Sequence, residues 1–142
     1  MKKIVLFAQV NEPLINQIKK VTDHVNPDNH EFHLVHCHKI QYFINELSVY
    51  SFPTEEHFEE MTKATNSVLD QLAKEMNLKH YGVHTFFDTD PKERCATFLE
   101  DIEASLCVVA TEGVKGIEGI FESSFANHMN KYAKCDVLVL RP

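Results

Sequence analysis

The glycine-rich stretch at residues 112–119 has the residue types and spacing of a ligand-binding loop. Three of the four glycines, Gly113, Gly116 and Gly119, fall within it. It follows a short apolar run and precedes a helical pattern, and a glycine loop in that position can hold phosphates with backbone N–H groups and a helix N-terminus. The alternative is a surface loop that needs the conformational freedom of glycine, followed by a serine that caps the next helix.

The charges around these glycines oppose phosphate binding. Residues 112–122 hold three acids, Glu112, Glu118 and Glu122, and one base, Lys115. A like-charge contact at 4 Å costs about 4 kcal/mol at an effective dielectric near 20. That cost is close to the roughly 4.1 kcal/mol that separates millimolar from micromolar binding. We therefore expect weakened binding of a nucleoside triphosphate.

Two other groups of side chains suggest different chemistry. The tripeptide His36-Cys37-His38 places two imidazoles on one face of a strand, a spacing that could serve zinc, but two ligands do not complete a structural site. Ser123 or Ser124 with His128 would share one helix, but no acid partner or G-x-S-x-G turn accompanies them. We predict no metal site and no catalytic residue.

Strands and helices alternate along the chain. Apolar runs rich in β-forming residues predict five strands, at residues 3–9, 31–37, 79–87, 106–110 and 136–140. Helical spacing predicts helices from an Asn11 cap to about Val25, from Thr54 to about Met76, from Asp90 through Ile102, and up to about Tyr132. Residues 39–54 have no clear periodicity, and their aromatic side chains suggest a packed loop.

This alternation predicts an α/β protein. We expect one domain over residues 1–142, built on a Rossmann-like, doubly wound, five-stranded parallel sheet with strand order 3-2-1-4-5 and helices on both faces. The winding reverses between the first and fourth strands, so a ligand would bind where 9–12 and 110–116 come together.

Composition restricts the environment and the partners. Hydrophobic residues make up 44% of the chain and charged residues 25%, which is typical of a folded soluble protein. A net charge of -7 disfavours nucleic acid as a partner. No apolar run reaches membrane-spanning length, and the four separated cysteines lie in apolar patterns typical of a reducing compartment. We therefore predict a cytoplasmic protein with no membrane or nucleic-acid partner.

The sequence resembles the universal stress protein family over nearly its whole length. The resemblance lies in the strand and helix order, the segment HLVHC that ends at Cys37, the pair Asp90-Pro91, and the C-terminal segments CVVATEG and SSFANHMNKYAKCDVLVLRP. Nucleotide-binding members of that family carry G-x-x-G, nine residues, then G-[ST]. Here that spacing is occupied by Ala110, Gly113 and then Ser123-Ser124, so two of the three glycines are replaced.

The resemblance implies a degenerate nucleotide loop. Gln9 stands where such members usually carry an Asp, and the serine pair is similar to the branch that does not bind ATP. It implies a non-enzymatic stress-response protein that requires no cofactor; the alternative is a stress sensor of the same fold that binds ATP or AMP. The residues predicted to line the nucleotide or anion crevice are Gln9, Asn11, Cys37, Ala110, Gly113, Lys115, Gly116, Ser123 and Ser124.

The last strand is apolar and falls at the predicted sheet edge. Its residues Val137, Leu138, Val139 and Leu140 would leave an unpaired strand that proteins generally cover or pair. Pairing with a second copy around a two-fold axis would remove the edge, and the family resemblance implies the same arrangement. We predict a homodimer through this strand.

Overall fold

The structure is a computed structural model that describes residues 1–8, 12–111 and 124–142. Its strands are β1 (Lys2–Phe7), β2 (His30–Lys39), β3 (Gln41–Ile44), β4 (Val49–Phe52), β5 (Tyr81–Asp88), β6 (Leu106–Ala110) and β7 (Asp136–Leu140). Its α-helices are α1 (Glu12–Ile18), α2 (Glu55–Glu75), α3 (Pro91–Asp101) and α4 (Ser124–Tyr132). Across these described ranges, no helix is long and apolar enough to cross a bilayer.

Five of the strands form one parallel sheet in the order β5-β2-β1-β6-β7. With the β3–β4 hairpin set aside, this is the predicted order 3-2-1-4-5, which is confirmed. β1 lies at the centre, where Val5 and Leu6 are fully buried. Phe7 is in register with Val35 of β2 and with Val109 of β6, so the carboxyl ends of these three strands lie side by side.

Helices cover both faces of the sheet, as predicted. On one face, α1 and α2 contribute Leu14, Ile18 and Leu69 to a core that includes Leu6 of β1. On the other face, α3 and α4 contribute buried side chains that pack on Val5 and Phe7 of the same strand. Because β1 is covered on both faces, its sequence is a continuous apolar run rather than an alternating one.

Some predicted boundaries move by a few residues. β1 ends at Phe7 rather than at residue 9, and α1 ends at Ile18 and continues as a 3-10 helix over Lys19–Asp23 instead of reaching Val25 as α-helix. The predicted Asn11 cap lies outside the described residues. The start of α3 is confirmed: the Asp90 carboxylate accepts a hydrogen bond from the backbone N–H of Glu93 at 3.3 Å, and Pro91 opens the helix.

The expectation of a packed loop after β2 is wrong. Residues 41–52 form the antiparallel β3–β4 hairpin, in which Phe43 pairs with Tyr50 and Ile44 with Val49. The Asn45 side-chain oxygen accepts hydrogen bonds from the N–H groups of Leu47 and Ser48, both at 2.9 Å, and closes the turn. The apolar side chains of this hairpin are exposed rather than packed.

Candidate functional site

A crevice of about 400 Å³ opens at the carboxyl ends of the central strands. It lies where the chain winding reverses, with β1 between β2 and β6, which is where open α/β sheets bind ligands. β1, β2 and β6 form the base, and the first turns of α3 and α4 form the sides. The lining residues are Phe7, Ala8, Val35, His36, Cys37, Pro91, Cys95, Val109, Ala110 and Phe125.

The described wall of the crevice is apolar and carries no Asp, Glu, Lys or Arg side chain. Phe125 of α4 packs edge to face on Phe7, with ring centroids 5.2 Å apart. The polar side chains of this wall are an imidazole and two thiols, from His36, Cys37 and Cys95. The described wall therefore suits an uncharged, flat group better than a polyanion.

His36 fixes the edge of the crevice where β1 ends. Its Nδ1 lies 2.8 Å from the backbone oxygen of Ala8, and because a carbonyl can only accept, Nδ1 carries the proton. The N–H of Ala8 donates to the oxygen of Val35 at 2.9 Å, so both polar groups of Ala8 are tied to β2. Burial lowers the pKa of His36, with the Ala8 bond opposing part of that shift. His36 is thus a neutral donor whose Nε2 can act as an acceptor.

Cys37 and Cys95 meet in the crevice wall. A hydrogen bond from the Cys95 thiol lowers the pKa of Cys37, although burial and the Asp88 carboxylate act in the opposite direction. The same contact, together with burial, raises the pKa of Cys95. Cys37 is half-buried and Cys95 is buried. Cys37 is therefore the thiol of the pair that forms a thiolate more readily.

A scan against protein-family models and a search of curated proteins found no match to this chain. Solved structures do match over its whole length. A universal stress protein from Archaeoglobus fulgidus has 13% identity and a TM-score of 0.72, covering 99% of this chain and 98% of that one. A universal stress protein in complex with cAMP has 13% identity and a TM-score of 0.71, covering 99% and 96%. A family protein from Arabidopsis thaliana with AMP bound has 15% identity and a TM-score of 0.57, covering 99% and 92%.

This chain has the universal stress protein fold. The agreement extends over nearly the full length of both chains, so the sheet, the crevice and the flanking helices all belong to that fold.

Within the universal stress protein fold, the structure brings two of the predicted site residues together. Cys37 of β2 and Ala110 at the end of β6 both line the crevice. Ser124 is the first residue of α4, where it is exposed and does not line the described wall. The other six predicted residues lie outside the described part of the chain: Gln9, Asn11, Gly113, Lys115, Gly116 and Ser123. Their contribution to a site stays a prediction.

The histidines near the end of β2 contact neighbouring side chains. The rings of His36 and His38 lie on one face, with centroids 4.5 Å apart, and Nε2 of His38 is 2.8 Å from the Thr65 hydroxyl. Among the described residues, no group of three or more His, Cys, Asp or Glu side chains could hold a metal ion. His128 packs against Tyr132, with ring centroids 4.6 Å apart and the ring planes tilted by 46°.

Several residues of the crevice wall were not identified from the sequence. Pro91, Cys95 and Phe125 reach the crevice from helices that pack over the sheet, and nothing in their local sequence distinguishes them from ordinary core positions. Thr111, directly after β6, is buried, and its hydroxyl has no hydrogen-bond partner among the described residues. The sequence indicated this region only through the residues that follow the predicted strands, because ligands bind where the winding of the sheet reverses.

Proposed function

We propose that this protein is a non-enzymatic member of the universal stress protein type, acting in the cytoplasm as a homodimeric stress-response protein that does not hold ATP tightly. The observation that carries the proposal is the uncharged, apolar character of the described crevice wall, at the position where the fold binds ligands. The degenerate glycine loop in the sequence supports the same conclusion.

We expect weak binding of a triphosphate because the described wall supplies no positive side chain to balance its negative charge. Tight phosphate sites combine backbone N–H groups with Lys or Arg side chains. The described wall supplies no such cation, and residues 112–122 add an excess of acids. One uncompensated like-charge contact at 4 Å, about 4 kcal/mol at an effective dielectric near 20, would weaken binding by about a thousandfold.

The second candidate is a sensor that binds AMP or ATP in the same crevice. A cavity of about 400 Å³ falls within the ordinary size range of small-molecule sites. A flat base could pack between the apolar strand ends, with His36 as a hydrogen-bond partner. Two of the similar structures contain cAMP and AMP, which favours this candidate.

The absence of an enzymatic role is proposed from the groups at the crevice. General acid–base or nucleophilic catalysis needs a base oriented against a reacting group. In the described wall, His36 donates its Nδ1 proton to the Ala8 oxygen and leaves Nε2 free, but no Ser, Thr, Asp, Glu or Lys side chain lines the cavity as a partner for it. Its interactions are those of a structural side chain.

The proposed dimer would form along β7. This strand is an edge of the sheet, and Val137, Leu138 and Val139 are half-buried there rather than fully covered. Antiparallel pairing of two β7 strands around a two-fold axis would satisfy the free backbone groups of the edge.

Calorimetric titration with Mg-ATP and with AMP tests the proposal, with a Gly113→Asp variant as the control for loop-dependent binding. We expect no heat of binding at micromolar nucleotide in either protein. Micromolar affinity for ATP that is lost in Gly113→Asp would refute the proposal and establish the sensor instead. Release of phosphate from ATP above the rate of a buffer blank would refute the non-enzymatic part.

A further inference from the structure

The β3–β4 hairpin exposes more apolar side chains than any other described element. Seven large apolar residues of its strands and turn stand largely in solvent, Tyr42, Phe43, Ile44, Leu47, Val49, Tyr50 and Phe52. Leu47 at the turn is 95% exposed and Ile44 is 81% exposed. Isolated exposed apolar residues are common on protein surfaces, but a continuous patch of this kind marks an interaction site.

Both faces of the hairpin are apolar. Side chains alternate across a strand, so Ile44 and its cross-strand partner Val49 lie on one face, and Phe43 and its partner Tyr50 lie on the other. The Phe43 and Tyr50 rings stack with centroids 5.4 Å apart. A hairpin with one buried face would carry polar side chains on its second face. Here apolar side chains lie on both faces, with Gln41 and Ser51 as the non-aromatic polar residues of the two strands, which indicates that more than one surface of the hairpin is covered in the working protein.

The hairpin has little support from the rest of the chain. Among described elements, the only extensive contacts of β3 and β4 are with each other. A two-stranded hairpin is marginally stable in water without further packing. Its outer edges are also open. The N–H of Asn45 donates to the oxygen of Ser48 across the turn, and hydrogen-bonded and non-hydrogen-bonded pairs alternate along an antiparallel ladder. The next pair, Ile44 and Val49, is therefore non-hydrogen-bonded, and its backbone amides point away from the partner strand.

We propose that the hairpin is an interface for a second copy of this chain, in which two hairpins pair edge to edge around a two-fold axis and their apolar faces become continuous. Strand edges are self-complementary in an antiparallel arrangement, so one hairpin provides both the free amides and the free carbonyls that its copy needs. This interface is distinct from the β7 edge, which lies at the other end of the sheet from β5 and β2.

The exposed area is large enough for this role. At about 200 Å² for a large side chain, the seven residues expose on the order of 900 Å² of surface. A standard stable interface takes about 800 Å² from each partner. Because these residues lie on both faces and at the turn, a contact with one copy draws on part of this area, which is of the same order as the contribution of one subunit.

Charge favours a second copy over a lipid surface or a nucleic acid. The chain carries a net charge of -7, but residues 41–52 contain a single charged side chain, Glu46, so two copies meet least repulsion here. Directly after the hairpin, α2 begins with Glu55 and Glu56. These acids would repel anionic lipid head groups and phosphate backbones.

Sedimentation velocity of the full chain carrying Leu138→Lys measures association through the hairpin alone, because that substitution removes association through β7. We expect this protein to associate with increasing concentration to twice 16.4 kDa. Adding Ile44→Lys and Val49→Lys should weaken that association about a hundredfold, because four lysines would meet at the contact. Val68→Lys in the same background is the matched control, since Val68 is an exposed apolar residue of α2, 38% exposed, and should leave the association unchanged.

Hydrogen exchange provides a readout at the interface itself. The outward amide on the paired edge, that of Ile44 in β3 or that of Val49 in β4, should gain protection as the protein concentration rises, and core amides of β1 should not change. A monomer at every concentration in the Leu138→Lys background would overturn the proposal, and so would hairpin lysines that behave like Val68→Lys. Retention of the protein by phosphatidylcholine vesicles without self-association would also overturn it.

Discussion

Replacing His36 with phenylalanine should destabilise the protein by removing one hydrogen bond at the edge of the crevice. The ring sits where β1 ends, and its Nδ1 donates to the Ala8 oxygen at 2.8 Å. Ala8 is 6% exposed, so water has little access to that oxygen once the donor is gone. Phenylalanine keeps an aromatic ring of similar size and removes the donor.

The expected loss can be estimated from the burial of the carbonyl. An unsatisfied buried hydrogen-bonding group costs about 1–3 kcal/mol. The apolar ring recovers part of that by its own burial, so we expect a decrease of about 1–2 kcal/mol in the free energy of unfolding. His36→Asn is the matched variant: its side-chain amide can place a donor near the position of Nδ1, and it should lose less of the Ala8 interaction.

The pH dependence gives this prediction a second test. Burial holds the folded-state pKa of His36 below its ordinary value of 6.5. The wild-type protein therefore keeps the full contribution of His36 above pH 6.5 and loses stability as the pH falls from 6.5 toward the folded-state pKa. The phenylalanine variant has no such group, so the difference in unfolding free energy should narrow on acidification.

Urea denaturation at neutral pH and at pH 5, followed by circular dichroism, measures both effects. A His36→Phe protein within about 0.5 kcal/mol of wild type at neutral pH would refute the reasoning, because that is the range of ordinary surface substitutions. A gap that widens on acidification would contradict the assignment of His36 as a neutral buried donor.

Three further predictions concern the other titratable groups and the sheet edge. Burial also lowers the pKa values of His38 and His84. The free energy of unfolding, measured by urea titration, should therefore decrease as the pH falls below 6.5. A free energy that does not change with pH would argue that these imidazoles are not held neutral by burial. Iodoacetamide should modify Cys37 first in the folded protein and the buried Cys95 and Cys107 last, because contact with Cys37 and burial raise the pKa of Cys95 and burial raises that of Cys107. Mass spectrometry of partly labelled protein would show the reverse order if this assignment is wrong. Leu138→Lys should remove association through β7, and sedimentation of this variant with its hairpin also substituted should give a single species near 16.4 kDa. A dimer in that triply substituted protein would show that the chain associates through a surface other than β7 and the hairpin.

The sheet could be predicted from the sequence because its signals are local. Five apolar runs separated by helical patterns specify the strands, and Asp90 followed by Pro91 marks a helix start that the structure reproduces. The strand order then follows from right-handed crossovers. The crevice follows as well, because its position depends on the order of the strands and not on particular side chains.

The hairpin could not be predicted, because its pattern lacks the usual contrast between a buried and an exposed face. Apolar residues on both faces of β3 and β4 give no alternation of polar and apolar side chains. Its turn is closed by the Asn45 side chain without a glycine, so the commonest hairpin signal is missing. The aromatic side chains therefore suggest a packed loop.

The composition of the crevice wall was only partly accessible from the sequence. Cys37 and Ala110 lie at strand ends and could be placed by the order of the strands. The contact between Cys37 and Cys95 depends on how α3 packs over the sheet, which no local pattern encodes. Ser124 is predicted at the site from the spacing of the loop; it begins α4, where it is exposed, and its part in a site stays a prediction.

Amide NMR of isotope-labelled protein, titrated with Mg-ATP, tests the central claim most directly because it reports affinity and location together. We expect no shift at the crevice amides of Ala8, Cys37 and Ala110 at micromolar nucleotide, and small shifts in fast exchange only toward millimolar concentration. Saturation of those amides at micromolar ATP would contradict the claim that this universal stress protein fold does not hold ATP tightly.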